Sequence, residues 1–349
     1  MGNARFRSPR DQGTMFSVVA TFVATCVVAG IAGASGSASV AGATTSDPGL
    51  ALQKDLVNVI RNARPSVVEI STDTGLGSGV VFDGKGDIVT NAHVVGNATA
   101  FTVTFSNGKV LTAHLMGTYA PDDLAVIRVS PSKGLRPASF GNSAALEVGD
   151  IVLAMGSPLG LSSSVTDGIV SFNGRAVSEG NGVVLQDLIQ TSAAINPGNS
   201  GGALVNLANK VIGIPTLSAS EGSSAAPGLG FAIPANTVKL IAPQLIAKGR
   251  VTTAGRAGLG LTGADSTAYD GSPLGVQVTS VQANGPAAKA GIVPGELIVA
   301  LNGRPTVNYT ALLTLLTLYR PGNRVNISLQ SLSGIKRTVT VTLADLAQF

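Results

Sequence analysis

The segment Asn196-Pro197-Gly198-Asn199-Ser200-Gly201-Gly202 is the most informative part of this 349-residue chain. Three glycines around one serine allow a tight turn whose backbone can approach another group closely. Such a turn can aim backbone N–H groups at a single point, as an oxyanion hole requires. Because Pro197 has no N–H, the predicted donors are Gly198 and Ser200. The competing interpretation is an ordinary glycine turn that carries an exposed serine.

A serine is a weak nucleophile unless a base lies beside it, and the chain contains only two histidines. His93 follows the predicted strand at residues 87–90, where a side chain can reach into a cleft, so it is the predicted base. His114 lies in the predicted exposed strand around residues 111–115, and it is interpreted as structural. A structural role for His93 is the alternative.

The third member of a triad must orient the imidazole and stabilise its cation. Asp123 directly precedes the apolar residues 124–126 and is the predicted partner, while the neighbouring Asp122 is the alternative. The order His93, Asp123, Ser200 is that of the chymotrypsin class. The α/β-hydrolase elbow, Gly-x-Ser-x-Gly, requires a histidine after the serine, and no histidine follows Ser200.

The composition excludes several classes of protein. One cysteine cannot form a disulfide framework, and one cysteine with two histidines cannot supply a zinc site of the usual kind. No metal or cofactor is expected. The net charge is only +4 and basic residues are scattered, so a nucleic-acid partner is not expected either. The 44 glycines and a charged fraction of 12% favour short strands joined by tight turns.

Hydrophobic patterning divides the chain into two folded units. The first contains short β-branched runs with turn signals between them, which predict an all-β barrel or sandwich. These predicted strands are residues 66–71, 79–82, 87–90, 99–105, 123–129, 151–154, 168–172, 203–205 and 211–214. Predicted helices are residues 52–62, ended by Pro65, and 237–248, broken by Pro243. The second unit is a small α+β module with strands near 275–280, 297–301, 325–330 and 337–343 and helices at 286–290 and 310–319.

The amino terminus has the pattern of an export segment. Basic residues precede the apolar run at residues 16–34, and small residues follow it. Both Ala32-Gly33-Ala34 and Ala41-Gly42-Ala43 fit a cleavage site, but the run is also long enough to span a bilayer. Residues 1–45 are therefore predicted to be a signal peptide or a membrane anchor plus linker. Cys26 lies inside the apolar run, so the exported part contains no cysteine.

Six motifs follow one another along the chain, at residues 90–95, 123–126, 156–161, 168–171, 196–204 and 228–234. In their sequences and their order they resemble the HtrA/Deg family of exported serine proteases. The resemblance implies a mainly β, chymotrypsin-like double β-barrel protease domain at residues 46–248. It also implies unfolded or damaged exported proteins as substrates and assembly into a homotrimer.

The resemblance continues into a PDZ domain at residues 249–349. It rests on residues 285–291, 294–298 and 301–303. It implies that Gly258, Leu259, Gly260 and Leu261 form a loop that binds the carboxylate of a peptide C-terminus. The peptide would add to the domain as a β-strand, with the helix at 310–319 as the other wall. The alternative for this module is a ferredoxin-like or other small α+β domain.

Two positions depart from the family pattern. Glu296 stands where the family usually has Asp, and Ser192 stands where members often have Asp before the two alanines of the serine motif. In a chymotrypsin-class site the residue about six before the nucleophile lies at the base of the specificity pocket. Here that residue is Ala194, followed by Ile195, which predicts cleavage after small or medium aliphatic residues.

Two other function classes stay open. One is a proteolytically silent chaperone or scaffold that binds through its PDZ domain. The other is a sensor protease that is inactive until a peptide binds.

Overall fold

The strands form two closed barrels, which are followed by a smaller sheet. The computed structural model describes residues 47–349 except 74, 133, 158–163, 179–183, 197, 222–223 and 332, and at 217–227 it describes the backbone alone. The predicted export segment, with Cys26, lies outside the described residues, as does Pro197. The predicted fold class, a mainly β double barrel with a small α+β domain, is confirmed.

The first barrel follows a helix and is closed among the described strands in the order β1-β2-β3-β6-β5-β4. Its elements are α1 (Pro48–Ala63), β1 (Val67–Ser71), β2 (Leu76–Val81), β3 (Asp87–Thr90), α2 (Ala92–Val95), β4 (Ala100–Phe105), β5 (Val110–Tyr119) and β6 (Leu124–Val129). A 3-10 turn, Ala120–Asp122, joins β5 to β6. Ile70, Ile88 and Phe101 fill the interior. A Cβ on Gly79 would lie 2.7 Å from both isoleucine side chains, so glycine at this position lets the interior close.

The second barrel is closed among the described strands in the order β10-β11-β12-β9-β8-β7. Its strands are β7 (Ile151–Gly156), β8 (Ser164–Ser178), β9 (Val184–Thr191), β10 (Ala203–Asn206), β11 (Val211–Glu221) and β12 (Ser224–Pro234). Helix α3 (Ala235–Lys248) follows. One hydrophobic cluster joins the barrels through Leu124, Met155 and Ile214, and Ile241 of α3 packs into it. The two barrels therefore meet at a fixed interface.

The smaller sheet has the order β14-β15-β16-β18-β19, with β17 on β16, and a separate pair β13–β20. Its elements are β13 (Ala257–Gly258), β14 (Leu261–Thr267), β15 (Pro273–Val281), α4 (Pro286–Lys289), β16 (Leu297–Leu301), β17 (Arg304–Pro305), α5 (Tyr309–Leu316), β18 (Arg324–Gln330), β19 (Lys336–Thr342) and β20 (Ala344–Asp345). Leu312 and Leu316 of α5 are buried against the sheet core. A 3-10 turn, Leu346–Gln348, follows β20.

The helices differ from their predicted limits in informative ways. The prediction that Pro243 breaks the helix before residue 249 is wrong, because α3 continues through it. Pro243 is exposed, whereas Val238, Ile241 and Leu245 are buried, so packing of the other face outweighs the lost backbone hydrogen bond. Helix α1 begins earlier than predicted because the Asp47 carboxylate caps it by accepting from Gly49 N–H at 2.9 Å. No helix in the described part of the chain is long and apolar enough to cross a membrane.

Glu296, which stands where the family usually has Asp, forms an ion pair with Arg337. Its carboxylate accepts from Arg337 Nε at 2.9 Å and Arg337 Nη2 at 2.8 Å, and from Val293 N–H at 3.0 Å. The hydrogen bonds from Arg337 lower the pKa of Glu296, although burial opposes them. The longer side chain of glutamate thus ties the start of β16 to β19.

We expect Glu296→Gln to lower the free energy of unfolding by about 1 kcal/mol at pH 7, since a half-exposed ion pair is worth little more. Because the pKa of Glu296 is lower in the folded state, its ionised carboxylate stabilises the fold at pH values above its ordinary pKa, near 4.5. That stabilisation is lost as the pH falls and the carboxylate is protonated. The difference in unfolding free energy between wild type and Glu296→Gln should therefore shrink as the pH falls below the ordinary value, as measured by denaturant unfolding. Glu147→Gln, at an exposed glutamate, is the control. A difference that does not depend on pH would contradict the assignment.

Candidate active site

The turn that carries Ser200 precedes β10 and admits only glycine at two positions. Gly201 has φ +80°, and a Cβ there would lie 2.2 Å from the carbonyl oxygen of Ser78. A Cβ on Gly202 would lie 2.2 Å from the carbonyl oxygen of Met155. Gly198 also takes a positive φ, 101°. The glycines of this motif therefore let the turn pack directly against the backbone of β2 and β7.

Ser78 of β2, which the sequence analysis missed, connects the first barrel to this turn. Its N–H donates to Ser200 O at 2.9 Å, and its hydroxyl donates to Gly198 O at 2.5 Å. The same hydroxyl accepts from Ser157 N–H at 2.8 Å. Ser78 is fully buried. One residue of the first barrel thus binds the carbonyl groups of both predicted oxyanion residues, Ser200 through its backbone N–H and Gly198 through its hydroxyl.

His93 lies in α2, the single helical turn that follows β3. Its Nδ1 lies 2.8 Å from Asp123 Oδ2, and its backbone N–H donates to Asp123 Oδ1 at 2.9 Å. The His93 side chain is 44% exposed and that of Asp123 is 5% exposed. The buried Asn91 amide donates to Asp123 O at 3.0 Å, which fixes the turn before the histidine. An imidazole presented to solvent, with its inner nitrogen on a buried carboxylate, suits proton transfer.

Asp123 is held from a third direction by Thr216 of β11, a residue that the sequence analysis also missed. The Thr216 hydroxyl donates to Asp123 Oδ2 at 2.5 Å, and the Thr216 carbonyl accepts from Ser200 Oγ at 3.1 Å. Burying a carboxylate is unfavourable unless hydrogen bonds satisfy it, and here three groups do so. Thr216 therefore contacts both the predicted orienting acid and the predicted nucleophile.

The alternatives for histidine and aspartate lie elsewhere. His114 is on β5 with an exposed side chain and pairs in register with Ala100. Asp122 is buried, and its carboxylate pairs with Arg256 rather than with His93. Thus the described structure brings His93, Asp123 and Ser200 to one place, where Thr216 bridges the last two.

The predicted specificity residues lie beside the turn that carries Ser200, the predicted nucleophile. Ala194 is exposed, and its carbonyl accepts from Thr166 Oγ1 at 2.8 Å and Asn199 Nδ2 at 3.2 Å. Ile195 is buried, and a Cβ on Gly230 would lie 2.5 Å from its Cγ1. Both predicted residues therefore carry uncharged aliphatic side chains, of which that of Ile195 is buried.

Ser192, the second departure, makes a local contact of its own. Its hydroxyl accepts from Ile169 N–H at 3.0 Å, and its N–H donates to Ile169 O at 3.1 Å. Serine at this position therefore ties the segment before Ala194 to β8 without a carboxylate.

The residues predicted to hold a peptide carboxylate line a groove of about 410 Å³. Leu259, Gly260 and Leu261 form one side, and Leu313 and Tyr309 of α5 contribute to the other. Gly258 also lines it and pairs with Ala344 in β13–β20. A Cβ on Gly260 would lie 2.9 Å from the ring of Phe349, and Leu346 and Phe349 of the carboxyl-terminal segment also line the groove.

Known proteins match both parts of the chain. Residues 77–214 match the trypsin-like peptidase domain, and residues 277–325 match the PDZ domain. The serine protease PepD of Mycobacterium tuberculosis is 40% identical over 341 residues, which cover 91% of this chain and 72% of PepD. The periplasmic serine endoprotease DegP of Escherichia coli is 42% identical over 275 residues, which cover 73% of this chain and 56% of DegP.

A solved structure covers most of the same range. The HtrA-type protease AlgW with a decapeptide is 30% identical, with a TM-score of 0.59, over 83% of this chain and 98% of the solved chain. The match therefore extends across both the barrels and the second domain.

Removal of the Ser78 hydroxyl should impair the site more than it impairs the fold. Ser78→Ala removes the hydroxyl partner of Gly198 O and Ser157 N–H, and would displace the predicted oxyanion donors. Complete removal of one such donor costs about 10²–10³ in kcat. We expect kcat for a chromogenic peptide to fall at least tenfold, with KM little changed. Ser143→Ala is the matched control, because that buried hydroxyl also binds one backbone N–H, of Asn236, at 3.1 Å. Equal kcat in both variants would contradict a role for Ser78 in the site.

Proposed function

Because this chain belongs to the HtrA family of serine proteases, we propose that it is an endopeptidase in which His93, Asp123 and Ser200 act as a catalytic triad. The observation that carries the proposal is the 2.8 Å contact between His93 Nδ1 and the buried Asp123 carboxylate, with Thr216 joining Asp123 to Ser200. An imidazole held in this way is oriented to act as a base on a serine hydroxyl.

In the proposed reaction, Ser200 Oγ attacks the carbonyl carbon of a peptide bond. With Nδ1 on Asp123, His93 takes the hydroxyl proton at Nε2 and then gives it to the leaving amine. Ser200 Oγ donates to Thr216 O in the structure, so the hydroxyl turns from that carbonyl toward the imidazole before attack. The N–H groups of Gly198 and Ser200 stabilise the oxyanion. Water then releases the acyl group, with His93 again as the base.

The proposed substrates are unfolded or damaged proteins, which expose extended segments with aliphatic side chains. Ala194 and Ile195 supply no carboxylate for a lysine or arginine, so cleavage after valine, alanine or isoleucine is proposed. The PDZ domain is proposed to bind peptide C-termini by adding them to β14, beside the groove lined by Leu261 and Leu313. The related protease AlgW was solved with a decapeptide, which is consistent with peptide recognition by this kind of protein.

Export and assembly also belong to the proposal. The pattern of residues 1–45 supports export, as does the similarity to DegP, a periplasmic endoprotease. Whether that segment is cleaved or anchors the chain would be read from the amino terminus of the mature protein. Assembly into a homotrimer is proposed from the family resemblance.

Digestion of casein tests the activity directly. Wild-type protein should degrade casein, and Ser200→Ala should lower turnover by about 10⁶ if the triad acts as a unit. Mass spectrometry of the products should place most cleavages after valine, alanine or isoleucine. Covalent labelling of Ser200 by a fluorophosphonate separates a protease from a silent chaperone. Retained hydrolysis by Ser200→Ala, or cleavage after lysine and arginine, would contradict the corresponding part of the proposal.

A charge in the groove should separate peptide binding from hydrolysis. Leu313→Glu places a carboxylate in an apolar groove, so the affinity for a peptide with an aliphatic C-terminus should fall at least tenfold. Leu318→Glu is the control, since Leu318 is exposed and does not line the groove. Binding is measured by fluorescence anisotropy, and casein hydrolysis is measured with and without the peptide. Hydrolysis that requires the peptide would favour the sensor protease. Equal affinity of both variants would place the peptide elsewhere.

A further inference from the structure

Arg256 lies in the segment after α3, and its side chain contacts the turn that precedes Asp123. Its guanidinium pairs with the carboxylate of Asp122. It also donates to Pro121 O at 3.3 Å and to Gln186 O of β9 at 3.5 Å. The backbone of Arg256 is fixed as well, because its carbonyl accepts from Leu346 N–H at 2.8 Å. One side chain therefore binds the 3-10 turn Ala120–Asp122 and an adjacent strand of the second barrel.

The pair is buried on both sides. The side chain of Arg256 is 13% exposed and that of Asp122 is 2% exposed. Burial lowers the pKa of Arg256 to about 10, with Tyr119 and Asp345 acting in the opposite direction, so the guanidinium is charged at neutral pH. Among the described residues, Arg256 is the ion-pair partner of Asp122. Removing one member of such a pair leaves an uncompensated charge in the interior.

This turn determines the position of Asp123. The N–H of Asp123 donates to Ala120 O at 3.0 Å, and Asp123 itself has φ 48°. A residue other than glycine adopts this left-handed conformation at a cost, which the surrounding contacts must offset. Thr216 and His93 hold the Asp123 side chain, whereas Arg256 holds the two residues before it. The backbone and the carboxylate of Asp123 are thus fixed by different groups.

We propose that Arg256 is a positioning residue for the reaction. By holding Pro121 and Asp122, it keeps the Asp123 carboxylate in contact with His93. The proposal rests on the proposed function, because it requires Asp123 to act on His93 during catalysis. The described hydrogen bonds and ion pair of its side chain join it to Asp122, Pro121 and Gln186, so it acts on His93 only through the turn before Asp123.

The test is the pH dependence of kcat/KM of the full chain with Arg256→Met. A displaced Asp123 stabilises the His93 cation less, so the acid limb should move to lower pH by at least about half a unit. At the optimum, kcat should fall at least tenfold with KM within about twofold. Arg256→Lys keeps the charge but not the planar fork, so it should recover part of kcat. Loss of folded protein alone would scale the profile without moving the limb.

Arg320→Met is the matched control. Arg320 lines the same small cavity as Arg256, but the Asp122 carboxylate pairs with Arg256. Wild-type kcat and an unmoved acid limb in Arg256→Met would overturn the proposal, as would a fall in kcat that tracks the folded fraction. If Arg256→Met does not fold, the same criteria apply to Arg256→Lys. A wild-type protein that cleaves no peptide would overturn the proposed function itself, and a cleaving wild type with an insensitive Arg256→Met would overturn this inference alone.

Discussion

The contact between the nucleophile turn and the first barrel is the constraint on which the site depends. Ser200 belongs to the second barrel, yet the backbone around it is fixed by hydrogen bonds to Ser78 of the first. The turn can approach the first barrel so closely only because Gly201 presents no side chain to the carbonyl group of Ser78, while Gly202 lets the same turn pack against Met155 of its own barrel. The hydrophobic cluster that contains Leu124 and Met155 packs the two barrels against each other. The packing of the two barrels therefore also sets the geometry of the site.

Sequence reasoning reached the residues whose chemistry has a local signature. A serine among glycines, one histidine after a strand and an acid before an apolar run pointed to Ser200, His93 and Asp123, and the described structure places all three together. Strand periodicity likewise predicted most of both barrels. The proline rule failed at Pro243, because burial of one helix face outweighed a local preference.

The supporting residues had no such signature. Ser78, Thr216 and Arg256 are single polar residues in strands or in a connecting segment, and each acquires its role from a partner far away in the chain. A local sequence pattern predicts the backbone conformation of nearby residues. The contacts of these three residues join segments that are distant in the chain, and they form only when the barrels close. The local pattern favoured Asp123 but left Asp122 as the alternative, and tertiary contacts distinguish the two, since Arg256 binds the carboxylate of Asp122 and His93 that of Asp123.

Strand β14 lies at an edge of its sheet, and an open edge has a consequence for the behaviour of the protein at high concentration. An edge that can accept a peptide can also accept a strand from another molecule, which is the first step of aggregation. Here the register of β14 shifts between Thr262 and Gly263 and again between Ser266 and Thr267. Such irregularities bend an edge and interrupt its regular row of donors and acceptors. The proposed site for strand addition on β14 is therefore short, and the same irregularities oppose the growth of a continuous sheet between molecules.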